Sequence, residues 1–238
     1  MIENYFGGVF AGTTMLQTNG VIGGARSVFV KLQGEKNDLV FPTFGGQLKN
    51  PFKGAAKIFA GDLFEYRTDE KGEKPEIYLL KTFEVAKASS DTTVLIVKDG
   101  FRHIPFVGDI LMKAPDDVTE QGAAYTVTAV EETVDTGVEV WKLTFNTSLG
   151  SLAKGDILVE AQAENASTAE MVVKNVNAVA PCDFDCFYTP AAGGSSFNGA
   201  RYYLTPALHG TMYVHKMSPV PDSILKFNKS RINGWFEL

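Results

Sequence analysis

Few residues in this 238-residue chain have types and spacings suited to chemistry. The stretch "CDFDC" sets two thiols, Cys182 and Cys186, around two carboxylates, Asp183 and Asp185. A closely spaced pair of thiolates is half of a zinc site, and the other half must come from elsewhere. With no other cysteine in the chain, only His103, His209 and His215 remain to supply it. The expectation is therefore a turn holding partly buried thiols, with no metal and no other cofactor. Whether the two cysteines pair with each other stays open.

Ser195 and Ser196 lie in "GGSSFNG". A serine nucleophile needs a histidine base that is itself oriented by a carboxylate, and this loop lacks the strand–turn–helix setting of a nucleophile elbow. The adjacent acids Asp116–Asp117 and Glu131–Glu132 have lysines nearby, the pattern of a solvated surface. No phosphate-binding GxxxxGK[ST], no HExxH and no dinucleotide fingerprint occurs. The expectation is a noncatalytic protein, with a β-rich hydrolase using His209 or His215 as a remote alternative.

The three remaining candidate acids share one context. "GDLFEYR", "GDILMKA" and "GDILVEA" begin at Gly61, Gly108 and Gly155, two equal steps of 47 residues. Sliding residues 61–107 onto 108–154 without gaps aligns Tyr78 with Tyr125, Glu84 with Glu131, Val94 with Trp141 and Ile96 with Leu143. Glycine relieves the backbone in a tight turn, aspartate caps that turn through its side chain, and the apolar pair that follows enters a core. The aspartates read as turn fasteners opening the strands of a duplicated unit.

The elements that would hold such turns are strands. In "YTVTAVE" the residues Tyr125, Val127 and Ala129 alternate with Thr126 and Thr128; in "VWKLTF" Trp141, Leu143 and Phe145 oppose Lys142 and Thr144. The expected fold class is all-β and mainly antiparallel: a β-barrel or sandwich built on a ~47-residue unit, with extended N- and C-terminal arms. "NPFKGAAKIF" has an Asn cap and a proline at the first helical position, and predicts a short helix.

Three segments follow from composition. Residues 1–57 hold seven aromatic and six cationic residues among dense glycine, including the strand-like "SVFVKL" (27–32), and carry net charge +3. Residues 58–165 form the acidic β body; over 58–170 the net charge is −11. Residues 166–238 (net +2 over 171–238) return to proline, glycine and aromatics, ending in "RINGWFEL". The acidic middle argues against nucleic acid, since phosphate neutralisation needs clustered cations. No apolar run is long enough to span a bilayer, and the N-terminus lacks a signal-peptide pattern.

"YTVTAVEE", "LGSLAKGDILVEA", "MVVKNVNAVAPCDFD" and "INGWFEL" together resemble the auxiliary or decoration proteins on the heads of tailed bacteriophages of the crAss-like type. The resemblance is one of style over most of the chain and carries across no catalytic residue. It implies a virion protein made in the host cytoplasm, whose partners are the major capsid protein and other copies of itself in a trimer or other cyclic oligomer. The expected contacts to capsid or subunit are Tyr5, Phe6, Phe10, Arg26, Phe52, Arg231, Trp235, Phe236 and Leu238. The rival is a fibre or adhesion module that stacks Trp141, Tyr202 or Tyr203 on a glycan.

Overall fold

The computed structural model describes residues 45–68, 75–186, 203–208, 210–213, 217–227 and 232–235, with backbone alone for 185, 186, 203, 210–213, 227 and 232–235. Among these residues the chain is nearly all β, with antiparallel pairing predominating, as its alternation predicts. The only helix described is the six-residue α1 (Asp222–Phe227).

One sheet runs in the order β5 (Thr82–Glu84), β10 (Ile157–Glu160), β7 (Ile110–Lys113), β8 (Gly122–Asp135), β9 (Val138–Phe145), β6 (Thr93–Val97). Its two ends meet: Val85 bridges Ile96, and the Ala86 amide donates to the Leu95 carbonyl at 2.8 Å. The sheet is thus a six-stranded barrel. Its interior holds Phe83, Val94, Ile96, Leu111, Val127, Leu143, Phe145 and Leu158, all buried. Alternation on β9 places Leu143 and Phe145 inside, with Trp141 packed against them. On β8 the alternation breaks. Val127 opposes Phe145 while Ala129 opposes Thr144, so Thr128 is an extra residue, and beyond this bulge Val130 rather than Ala129 continues the inner face.

The second sheet runs β12 (Ala178–Val179), β3 (Leu63–Arg67), β4 (Glu76–Leu79), β1 (Gly46–Leu48), β14 (Tyr203–Leu204). It also curls back on itself, since Val179 and Ala207 exchange amide–carbonyl bonds of 2.8 Å just past β14. Leu48, Phe64, Ile77, Leu79, Ala178 and Leu204 fill its inner side. A third core joins the two sheets: Leu63, Leu80 and Val179 from one meet Met112, Val159 and Met171 from the other, with Met217 and Ile224 covering them. Full burial of each such aliphatic side chain contributes about 1.5–3 kcal/mol.

This partition corrects three expectations. The barrel is built from residues 82–161 and is inserted between the parts of a sheet drawn from 46–80 and 178–207, so the boundaries at 57 and 165 do not delimit a body. Residues 45–57 are not an arm on the outside, because Leu48 and Phe52 are core residues. The short helix expected in "NPFKGAAKIF" is absent: Ala56–Ile58 is strand β2, paired with β13 (Phe184–Cys186), and Asn50 caps no helix. Its side-chain amide exchanges hydrogen bonds with the backbone of Leu79 instead, at 2.8 Å each way.

Candidate functional site

The three GD turns are superposable in their bonding. Gly61, Gly108 and Gly155 have φ of 89°, 87° and 89°, the left-handed region that glycine tolerates. The amides of Asp62, Asp109 and Asp156 donate to the carbonyls of Phe59, Phe106 and Ala153, closing each turn. Each carboxylate then accepts the amide of that same residue three back, at 2.7, 2.8 and 2.8 Å. Each glycine amide donates to a neighbouring segment, at the carbonyls of Ala180, Val127 and Val85, and the amides of those residues donate to the aspartate carbonyl in return, at 2.8 Å each. In every copy the third residue after glycine (Phe64, Leu111, Leu158) points into its barrel or curled sheet. The fourth residue in the latter two copies, Met112 and Val159, faces the core between the sheets.

Past these turns the first two copies differ in their pairing. The first copy's strand lies in the second sheet and the others in the barrel, and pairing slips by one residue: Tyr78 opposes Glu65, whereas Tyr125 opposes Leu111.

Environment separates the three acids. Asp156 is at the surface beside Lys113, 2.7 Å away. Asp109 is buried with its Oδ1 lacking a hydrogen bond, and the Lys53 ammonium stands 3.9 Å off. Burial pushes its carboxyl above the usual range despite the nearby Lys81, the Phe106 amide and Lys53.

Asp62 is the most elaborate. Its Oδ2 accepts from His103 Nε2 at 3.0 Å and its Oδ1 from Ser218 Oγ at 2.6 Å, with all three residues buried. Burial acts to raise its carboxyl, but His103, Ser218 and the Phe59 amide together hold it below the usual range. The membership is that of a serine hydrolase, and the wiring is not. A nucleophilic serine must give its proton to the imidazole. Here Ser218 donates to the carboxylate, and the only other ring nitrogen, Nδ1, accepts the Thr82 amide at 3.1 Å. That bond assigns the proton to Nε2 and leaves no basic nitrogen facing the serine. The cluster ties the first GD turn, the loop before β7 and the segment before α1 into one joint, and the His103 ring packs between Phe52 and Phe83 at 5.6 and 6.4 Å.

An open groove of about 640 Å³ is lined in part by Lys49, Asn50, Phe52, Arg67, Tyr78 and Glu160. Its charges are matched in place. Lys49 meets Glu76 at 2.9 Å, and Arg67 clasps Glu65 at 2.8 and 3.0 Å while lying 4.0 Å over the Tyr78 ring. Beneath, the fully buried Lys81 is held by Glu160 at 2.9 Å and by the Pro51 carbonyl at 3.1 Å, and Glu160 in turn accepts from Asn50 at 2.6 Å. A lysine inside the apolar run "LLKTF" was the signal in the sequence for this buried network.

Of the expected contact residues, Phe52 is 2% exposed and a core side chain, so it offers no surface to a partner; this corrects its assignment as a contact. Trp235 lies on β16 (Ile232–Trp235), which pairs in parallel with β15 (Gly210–Tyr213). Tyr5, Phe6, Phe10, Arg26, Arg231, Phe236 and Leu238 fall outside the described residues, as do His209, His215, Ser195, Ser196 and Tyr202. Cys182 is half-buried, and burial with Asp183 beside it pushes its thiol up to about 11. Asp183 itself accepts the Ala60 amide at 2.8 Å. Among the described residues no group of three or more His, Cys, Asp or Glu is placed to hold a metal ion. Glu131 and Glu132 pair with Lys142 and Lys98 on opposite faces of the β8–β9 hairpin, and the Lys98 ammonium lies 5.4 Å over the Trp141 ring, on which a sugar would have to stack. No helix among the described residues is long and apolar enough to cross a membrane. No protein-family model, no curated protein and no solved structure matches the chain.

Proposed function

We propose that this chain is a noncatalytic virion structural protein, an auxiliary or decoration protein that binds the outer surface of a tailed-phage head and stabilises it through contacts with the major capsid protein and with copies of itself. The observation that supports this reading is the use of the buried polar groups. Asp62, His103, Ser218, Lys81, Glu160 and Asn50 are each bonded to partners from distant parts of the chain, which suits a rigid platform better than a reacting site. Activated nucleophiles and bases require a group poised to exchange a proton with substrate. The acidic body and the cationic, aromatic residues preceding it fit a division between an outward face and a docking segment.

The test is cosedimentation of purified protein with expanded empty shells. Deletions must respect the core: removing residues 1–44 spares Leu48 and Phe52, whereas removing 1–57 would take both. The full chain is expected to pellet with shells, and chains lacking 1–44 or 236–238 to bind at least about tenfold more weakly, a loss of ~1.4 kcal/mol. Equal binding by both deletions, or none by the full chain, refutes the proposal.

A further inference from the structure

A buried amine, a primary amide and a carboxylate meet at the floor of the groove. Lys81, whose side chain is 1% exposed, follows β4; Asn50 follows β1, the strand paired with β4; Glu160 ends β10 of the barrel. The one carboxylate touches both of the others. Its Oε1 accepts from Lys81 Nζ at 2.9 Å and its Oε2 from Asn50 Nδ2 at 2.6 Å. The Pro51 carbonyl, 3.1 Å from Nζ, and the Phe52 ring, 5.3 Å from it, enclose the ammonium next to the asparagine.

Asn50 is held as an acyl group open to attack. Its Oδ1 accepts the Leu79 amide at 2.8 Å, a donor placed where negative charge develops when a nucleophile adds to Cγ. Its Nδ2, the nitrogen that would leave, rests on the carboxylate. An asparagine side chain is ordinarily attacked by the backbone nitrogen of the next residue, but here that nitrogen belongs to Pro51 and carries no hydrogen. Lys81 is the nucleophile at hand, and its flexible four-carbon stem lets Nζ swing from Oε1 toward Cγ.

We propose that Lys81 and Asn50 join through a side-chain amide, formed once within the chain, with Glu160 carrying the proton between them. Nζ gives a proton to Oε1, and the freed lone pair attacks Cγ. Burial favours that transfer, because it discharges two ions stripped of water. Oδ1 takes the negative charge of the tetrahedral intermediate, steadied by the Leu79 N–H. Glu160 returns the proton to Nδ2, the Cγ–Nδ2 bond breaks and the Cγ–Nζ bond remains. Ammonia leaves with the surplus proton of Nζ as ammonium, and no other reactant is consumed. The groove, lined by Asn50 and Glu160, gives it an exit. The product ties the ends of β1 and β4 together and turns over no substrate. It rests on the proposed structural role only for its use, as a covalent stiffener of the platform.

Mass spectrometry of the full chain, denatured and free of shells, tests it. The wild-type mass is expected one ammonia below that of the sequence, and its protease digest to contain a branched peptide joining the Asn50 segment to the Lys81 segment. Glu160→Gln, which keeps an oxygen for the Asn50 amide but takes up no proton, and Lys81→Met are each expected at full sequence mass and without the branched peptide. A wild-type chain at full sequence mass overturns the proposal, whether or not either variant folds. So does an ammonia loss that survives Lys81→Met, or a product one water lighter that joins Lys81 to Glu160. Because no shell is present, failure to cosediment leaves this result unaffected, and a chain without the bond can still cosediment.

Discussion

Replacing Asp62 and Asp156 by alanine perturbs the same turn position in two environments. Asp156 contributes one carboxylate–amide bond to Ala153 and a partly exposed pairing with Lys113, whose side chain is 50% exposed. Its removal resembles loss of a cap, about 1 kcal/mol. Asp62→Ala removes the same amide bond and leaves two further buried donors, His103 Nε2–H and Ser218 Oγ–H, without an acceptor. Each stranded buried donor costs about 1–3 kcal/mol, so with about 1 kcal/mol for the turn bond the total is expected to be about 5 kcal/mol. Urea denaturation of the two variants and the wild type, compared at equal slope, measures both. The pH dependence has a definite sign: the Asp62 carboxyl is held low in the folded state, so its stabilisation is present above the ordinary unfolded value near ~3.9 and is lost as pH falls through the lower folded value. The deficit of Asp62→Ala should thus shrink in acid. An Asp62→Ala variant no less stable than Asp156→Ala at pH 7 would refute the view that the first GD turn anchors a three-way joint.

Two further outcomes follow from neighbouring features. The Asp109 carboxyl is raised by burial, so the folded state is penalised increasingly as pH climbs from the unfolded value through the folded one; Asp109→Asn, which keeps an oxygen for the Phe106 amide, should match or exceed wild-type stability at pH 7 and lose that slope, as denaturation between pH 4 and 8 reads out. Thr136 sits at φ 50° beside Gly137 in the β8–β9 turn; Thr136→Gly relieves a β-branched residue in the left-handed region and should raise the thermal midpoint, by about 0.5–1 kcal/mol in stability.

The features legible in the sequence were those closed within a few residues. A GD turn is completed by bonds from residue i to i+3, and its φ near 89° has a direct signature in glycine, so three equal turns could be read from three equal dipeptides. Period-two alternation likewise reports which way a side chain faces, and on β9 it placed Leu143 and Phe145 correctly. It misplaced Ala129 because a bulge at Thr128 has no marker beyond the strand itself. Partnership between strands is a different kind of information. Nothing local in "GDLFEYR" distinguishes pairing with β12, 115 or so residues downstream, from the short-range pairing that β7 makes with β8; that choice is made by which surfaces fit, after loops of very different length have closed at only logarithmic cost.

The same distinction explains why the buried polar joint escaped notice. His103 and Ser218 are separated by 41 and 156 residues from the Asp62 carboxylate that gathers them, and no spacing rule links the three. Their types matched a hydrolase, yet catalysis depends on the order of the bonds rather than on the roster. With Asp62 at the centre and Thr82 occupying the second ring nitrogen, His103 is a structural donor, and a proton-accepting role would require the Thr82 amide to lose its acceptor in a buried site. The repeated dipeptide therefore has a division of labour: one fold-closing turn used three times, of which the third opens barrel strand β10 with its aspartate paired to Lys113, the middle one holds a raised carboxyl, and the first has recruited two distant side chains to lock the inserted barrel and the helix-bearing segment to the sheet.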